Sequence, residues 1–321
     1  MIRIGIDLGG TNLRIATLAS DSPALVEPHK AAVGEPRDPG TLVARLAALV
    51  ERRAGDASTP IPVGIGIAAM LRDTQGTVAN SPHLGWRDVP FGRLLAKRLG
   101  ARYAVGVYND VNAIVYGEHV FGAARGFRDV LGVYVGTGIG GGLIVNGALV
   151  EGANNCAGEI GHVKVRWDDA AAPCACGQRG CVEAYVGGSY VAKRIAAELV
   201  ANPATQAIEL AGDIENVTPS HVDQAAANGD PWALSIWEDL APLLAVALGN
   251  AIAVLNPQRL VLGGGLLSRT PTLYEQVVTM LTLVAPVASM EPLSIALATL
   301  GDDAGIVGAA ALAAAGVSIV K

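Results

Sequence analysis

The chain has 321 residues, 51% hydrophobic and 16% charged, with 23 Lys and Arg against 29 Asp and Glu for a net charge of −6. That length fits two domains of roughly 100–200 residues, and the apolar content excludes intrinsic disorder. The acidic balance, with no basic run, excludes nucleic acid and anionic membrane surfaces as partners.

Ile2–Asp7 alternates, passes through Gly9-Gly10 and resumes as Leu13–Leu18, which predicts strand, glycine turn, strand. Apolar residues at 42, 43, 46, 49 and 50 predict a helix over Thr41–Arg53, and Val63–Ile67 reads as a buried strand. Asn80–Trp86 reads as a polar loop, Phe91–Leu99 as a helix, Ala104–Tyr108 as a strand, and Val111–Phe121 as a helix with Asp110 at its N-cap. The pattern then starts again. Val130–Val135 is a strand, Gly136–Gly142 a glycine turn and Leu143–Val145 a strand, followed by helices around Ser189–Leu199 and Pro231–Leu255. Leu260–Leu262 runs as a strand into Gly263-Gly264-Gly265, and Ser294–Ala298 precedes a final helix. Two halves that each open on a glycine-bearing hairpin and continue with alternating strands and helices predict an α/β protein of two related domains flanking a cleft. The expected small domain is 1–117 plus 304–321, and the larger one 118–303.

The N-terminus lacks a signal-peptide pattern. The apolar stretches Leu240–Leu255 and Ala304–Val320 fall below the ~20 strongly apolar residues of a membrane span, so the expectation is a cytoplasmic protein with no membrane partner.

Asp7-Leu8-Gly9-Gly10-Thr11-Asn12 suits either a plain hairpin or a phosphate-binding turn, whose N–H groups meet phosphate oxygens while Asp7 holds Mg²⁺ through water. Gly136-Thr137-Gly138-Ile139-Gly140-Gly141 imitates a dinucleotide fingerprint, with Glu159 downstream, but that motif needs a helix next and Leu143–Val145 reads as a strand. A second phosphate-cradling hairpin facing the first is the better reading. Gly263 and Gly264 either let a flat nucleoside lie on the backbone or simply turn the chain. Asp110, at a strand end, either orients and deprotonates an attacking hydroxyl or only caps the helix.

Four cysteines are present, three of them close together. His162, Cys174, Cys176 and Cys181 make a complete Cys₃His set for a closed, structural Zn²⁺ site, with Cys156 left over as a small buried residue. Glu159 and Glu183 flank this set, either as surface charges or as acceptors for sugar hydroxyls. Asn80 sits in the polar, aromatic-bearing loop Asn80–Trp86, which either covers a sugar or is an ordinary Pro/Gly turn.

In this order the segments Asp7–Asn12, Asn80–Trp86, Asn109-Asp110, Val135–Gly142, Gly158-Glu159-Ile160-Gly161-His162, Cys174–Glu183 and Leu262–Gly265 resemble the ROK family, and within it the bacterial glucokinases. The resemblance implies the duplicated, ribonuclease H-like fold of actin, hexokinase and Hsp70. It implies an ATP-dependent hexose kinase, with N-acetylhexosamine, mannose or fructose as alternative acceptors and a non-catalytic sugar sensor or repressor as the other reading. It implies Asn109, Asp110, Glu159, His162 and Glu183 on the sugar, with Asp110 as base. Asp7, Gly9, Gly10, Thr11, Asn12, Gly136, Thr137, Gly138, Gly263 and Gly264 would surround ATP and Mg²⁺. It also implies a C-terminal helix returning to the first domain, and a homodimer or dimer of dimers. His83 stands where glucokinase-like members carry Asn, and eleven residues separate His162 from Cys174, a slightly long spacing.

Overall fold

In a computed structural model of the chain, residues 2–19, 21–55, 60–201 and 204–321 are described. They divide into two compact units: 1–128 with 142–157 and 298–321, and 129–141 with 158–297.

In the first unit, β1 (Ile2–Leu8), β2 (Asn12–Ala19), β3 (Leu25–Ala32), α1 (Pro39–Arg53) and β4 (Ile61–Ile67) come first. A small three-stranded sheet of β5 (Met70–Leu71), β6 (Val78–Ser81) and β7 (Trp86–Val89) follows, then α2 (Phe91–Leu99), β8 (Tyr103–Asn109) and α3 (Asp110–Phe121). The expected loop Asn80–Trp86 is therefore the β6–β7 hairpin, with Asn80 and Trp86 on its strands. The main sheet runs β3-β2-β1-β4-β8; β3, β2 and β1 are antiparallel, while β1, β4 and β8 are parallel.

Next come β9 (Val130–Val135), β10 (Ile139–Val145), which straddles the boundary of the units, and β11 (Ala148–Leu149). The second unit continues with α4 (Glu183–Val186), α5 (Gly188–Ala201), α6 (Gln206–Ala211), α7 (Pro219–Ala227), α8 (Pro231–Leu255), β12 (Arg259–Gly263), α9 (Pro271–Val284), α10 (Val287–Met290) and β13 (Ser294–Leu297). α11 (Ala304–Ala314) belongs to the first unit. The second sheet runs β11-β10-β9-β12-β13, the same order of succession as the first, so the repeat read from the glycine hairpins is a repeat of topology.

α8 is long and apolar enough to cross a membrane by length and composition. Its Ile236, Trp237, Leu240, Leu244, Leu248 and Ile252 are nevertheless buried in protein, which makes it a core helix. Pro242 lies inside it rather than ending it. Burial, and not shortness, decides the matter.

α11 is built almost wholly of Ala, Gly and short aliphatics, and ten of its residues are buried. Small side chains let its backbone lie directly on the sheet: a Cβ on Gly5 would strike the carbonyl of Ile306, and one on Gly64 the carbonyl of Ala309. Gly64→Ala should therefore cost about 3 kcal/mol of stability, because a backbone atom cannot swing aside; denaturant melts compared with wild type check this. Residues beyond α11 cover the β8 edge, where Gly106 bridges Ile319, Val320 N–H donates to Val105 O at 2.8 Å and Tyr108 Oη donates to Val317 O at 2.7 Å.

Glu118, fully buried near the end of α3, accepts from the N–H groups of Ala123 (2.7 Å), Thr299 (2.8 Å) and Leu300 (2.8 Å) and from the Thr299 hydroxyl (3.1 Å). It ties the end of α3 to the segment that enters α11.

Candidate active site

Three parallel strands of the first unit end on one edge. Asp7 on β1 is level with Gly66 on β4, which is level with Tyr108 on β8, one residue before Asn109. At about 4.8 Å per strand, Asp7 and the Asn109-Asp110 pair lie roughly 10 Å apart at the carboxyl ends of the sheet, where α/β proteins bind ligands.

Asn109 is the N-cap of α3, its side-chain oxygen accepting from Val111 N–H at 3.0 Å and Asn112 N–H at 3.1 Å. The cap expected of Asp110 thus belongs to its neighbour, and Asp110 is the first helical residue, its Oδ1 accepting from Val111 N–H at 3.0 Å. Both residues cap well, and a one-residue shift of the helix start decides between them. Asn109 Nδ2 donates to Ala69 O at 3.5 Å, and Met70 pairs with Asn80, which brings Asn80 and Asn109 into one neighbourhood.

The first glycine turn closes through Gly9 N–H donating to Asn12 O at 3.0 Å, and Thr11 and Asn12 are exposed at its tip. His83 explains why residue 10 is glycine: a Cβ there would come within 2.6 Å of the His83 Cβ. Arg37 clamps the pair by donating to Gly10 O at 3.0 Å and His83 O at 2.8 Å, and Trp86 Nε1 donates to Arg37 O at 2.6 Å. No motif marked Arg37.

Asp7 pairs in register with Arg14, whose guanidinium is taken by Asp302 O and the Asp303 carboxylate. Burial raises the Asp7 carboxyl above the ordinary carboxylate value; Arg14 opposes that shift and Asp302 adds to it. A group held more tightly protonated in the folded state adds stability that is present at low pH and is lost as pH rises through its folded value. Asp7→Asn, which mimics the protonated form, should raise Tm by a few degrees at neutral pH, with the gain vanishing in acid. Calorimetry across pH measures it.

In the second unit, Gly136 N–H donates to Gly138 O at 2.9 Å, leaving Thr137 exposed at the tip, and strand β10 begins at Ile139. No helix follows, so the dinucleotide reading fails for the reason anticipated. Gly136 and Thr137 line a cavity of about 600 Å³ together with Gly188, Ser189, Thr218, Ser220, Gly265 and Arg269. Gly264, at φ +89°, lies against the backbone of Val135, where a Cβ would come within 2.5 Å; its neighbour Gly265 lines the cavity and Gly263 ends β12. The residues from 188, 218 and 269 carry no motif. The one signal near them is Thr218-Pro219, a helix-start pair whose Thr is the N-cap of α7.

His162, Cys174, Cys176 and Cys181 bring their ligand atoms within 4.8 Å of one another. The Cys174 Sγ to His162 Nδ1 distance is 3.8 Å and Cys176 Sγ to Cys181 Sγ is 3.7 Å. A tetrahedral ion with bonds of about 2.0–2.3 Å spaces its donors about 3.3–3.8 Å apart, so this donor set fits one. Burial pushes the Cys174 thiol up to about 12, and Lys164 Nζ reaches Cys181 Sγ at 3.0 Å. His162 turns its other nitrogen away from the thiols, Nε2 lying 3.9 Å from Glu159 Oε2. Glu183 begins α4, with Oε2 accepting from Ile139 N–H at 2.8 Å.

Residues 3–315 match the ROK family. A glucokinase of Halalkalibacterium halodurans is 32% identical over 311 residues, covering 95% of this chain and 92% of that one. The chain belongs to the ROK family. Among ROK relatives, an N-acetyl-D-glucosamine kinase of Yersinia pseudotuberculosis is 31% identical over 96% of this chain and 97% of its own length. A ROK glucokinase of Streptomyces griseus, solved with glucose and AMPPNP, superposes with a TM-score of 0.77 at 29% identity, covering 98% of this chain and 100% of that one. The actin-like sugar-kinase fold expected from the sequence is therefore the fold of this ROK protein.

Proposed function

We propose that the chain is an ATP-dependent glucokinase, transferring the γ-phosphoryl group of ATP to the 6-hydroxyl of D-glucose. The observation that carries this is the place of Asp110: first residue of α3, it stands at the carboxyl edge of the sheet that also presents the Asp7–Asn12 turn, in a chain of a family that includes glucokinases. Asp110 orients the sugar hydroxyl and accepts its proton; positioning and charge stabilisation supply most of the catalysis in phosphoryl transfer, so a weak base suffices.

Asn80, Asn109, Glu159, His162 and Glu183 hold the other hydroxyls. Asp7 holds Mg²⁺ through water, and Gly10, Thr11, Asn12, Thr137 and Gly138 offer N–H and hydroxyl donors to the phosphates, while Gly9 and Gly136 close the two turns with their own N–H groups. Gly263 and Gly264 shape the wall beside the cavity that Gly265, Ser189 and Thr218 line, and a nucleoside fits that cavity. His162, Cys174, Cys176 and Cys181 hold a structural Zn²⁺, which keeps the His162 ring aimed at the sugar with Nε2 outward. The protein works in the cytoplasm as a homodimer or a dimer of dimers.

Purified protein with ATP and Mg²⁺ should consume ATP with glucose; turnover with none of glucose, mannose, fructose, N-acetylglucosamine and N-acetylmannosamine overturns the reading. A second reading, an N-acetylhexosamine kinase, draws support from the 31% identity to such an enzyme. The kcat/KM values of the same five sugars measured side by side separate the two.

A further inference from the structure

The carboxylate of Glu183 has two neighbours besides any sugar. Oε1 lies 3.8 Å from Cys174 Sγ, and Oε2 accepts from Ile139 N–H at 2.8 Å. A Cβ on Gly138 would come within 2.5 Å of the same Oε2. The glycine turn is seated further on the α4–α5 junction, where Gly188 N–H donates to Gly136 O at 2.9 Å and Ser189 N–H to Thr137 O at 3.0 Å. Ile139 is buried, so its N–H has no water to replace a lost acceptor. Glu183 follows Cys181 by two residues, and all of these groups lie in the second unit.

We propose that Glu183 is a positioning residue for the nucleotide turn as well as an acceptor for the hexose. Oε2 fixes Ile139 N–H, and with it the conformation of Gly136-Thr137-Gly138, while Oε1 is left for a sugar hydroxyl. One carboxylate then links the two substrate affinities, and the linkage runs equally in both directions. The inference rests on the kinase reading above.

Calorimetry on the full chain tests it, with AMPPNP titrated in the absence of sugar and glucose in the absence of nucleotide. Glu183→Ala should weaken sugar-free AMPPNP binding about tenfold, the loss of one charge-assisted hydrogen bond. Glu183→Gln keeps a carbonyl oxygen for Ile139 N–H and should hold AMPPNP within about twofold of wild type while losing glucose affinity. A residue that served only the sugar would leave sugar-free AMPPNP affinity unmoved in both variants, and that result overturns the proposal.

The reciprocal probe does not touch Glu183 and serves if the alanine variant fails to fold. Gly138→Ala pushes a methyl against Oε2 and should lower nucleotide-free glucose affinity about fivefold or more; unchanged glucose affinity overturns the proposal. If wild type binds neither AMPPNP nor glucose, the kinase reading falls and the inference with it. If wild type binds both and the variants do not shift, the inference alone falls.

Discussion

Asp110→Asn should lower kcat by about a thousandfold while glucose affinity stays within about threefold. Asparagine keeps the shape and an oxygen acceptor, so the substrate hydroxyl is still held, but the amide cannot take the proton. The variant is also a clean one. Asn109 is the N-cap of α3 and accepts from both Val111 and Asn112, while Asp110 shares only the Val111 N–H, so the first turn of the helix keeps its acceptor in the variant. Steady-state kinetics read the rate and calorimetry reads the affinity. Full activity in this variant would mean that another group is the base. Asn109→Ala makes the contrast, because it removes the cap, should cost about 1 kcal/mol of stability and, on the proposed reading, should weaken glucose binding at once.

Stripping the metal should have the second large effect. Metal-free protein is expected to lose hexose affinity by about a hundredfold and to lose hydrogen-exchange protection across residues 162–183. Backbone bonds fold it into short turns, with Cys174 N–H donating to Gln178 O at 2.8 Å, Gly180 N–H to Ala172 O at 2.8 Å and Val182 N–H to Val163 O at 2.9 Å, and the ion would cross-link those turns. Ala172 N–H donates to Tyr185 Oη and Ala175 N–H to Tyr190 Oη, while Pro173 bridges only to Arg179. An ion would draw the three sulfurs and the imidazole onto one centre, and His162 and Glu183 are set by the same loop. Metal analysis must accompany the binding measurement. Unchanged affinity in protein shown to be free of metal would detach the cluster from the sugar site.

The strands that were legible in the sequence are the ones buried in the two sheets. β1, β4, β8, β9 and β12 are apolar runs whose residues are shielded on both faces, and their positions follow from composition alone. β3 escaped because it is an edge strand with nearly every side chain in solvent and Pro28 in its middle, so it carries no alternation. β5, β6 and β7 are too short for a period to show. α9 carries its own signal in the sequence, since Thr270-Pro271 opens it and Leu273, Val277 and Leu281 mark its buried stripe.

The chemistry divides in the same way. The Cys₃His set is local in sequence and its spacing declares it, whereas the Arg37 clamp, the Arg14–Asp303 pair and the lining of the cavity join segments far apart in the chain. Such convergence exists only in the fold. The Asn109-Asp110 assignment failed by one residue because two equally good capping types stand side by side, and local propensity has no means of choosing between them.

The return of residues 298–321 to the first unit has a consequence for how the protein is made. The ribosome delivers β1 to α3 early, but the helix whose backbone lies on Gly5 and Gly64 arrives after the whole second unit has been synthesised. Until then the apolar face of β1 and β4 lacks its cover, and the Glu118 carboxylate lacks three of its four donors, all from Thr299 and Leu300. The unit encoded first is therefore the one completed last. A nascent chain halted before Thr299 should present a sticky sheet and a carboxylate short of three donors, the kind of surface that chaperones bind.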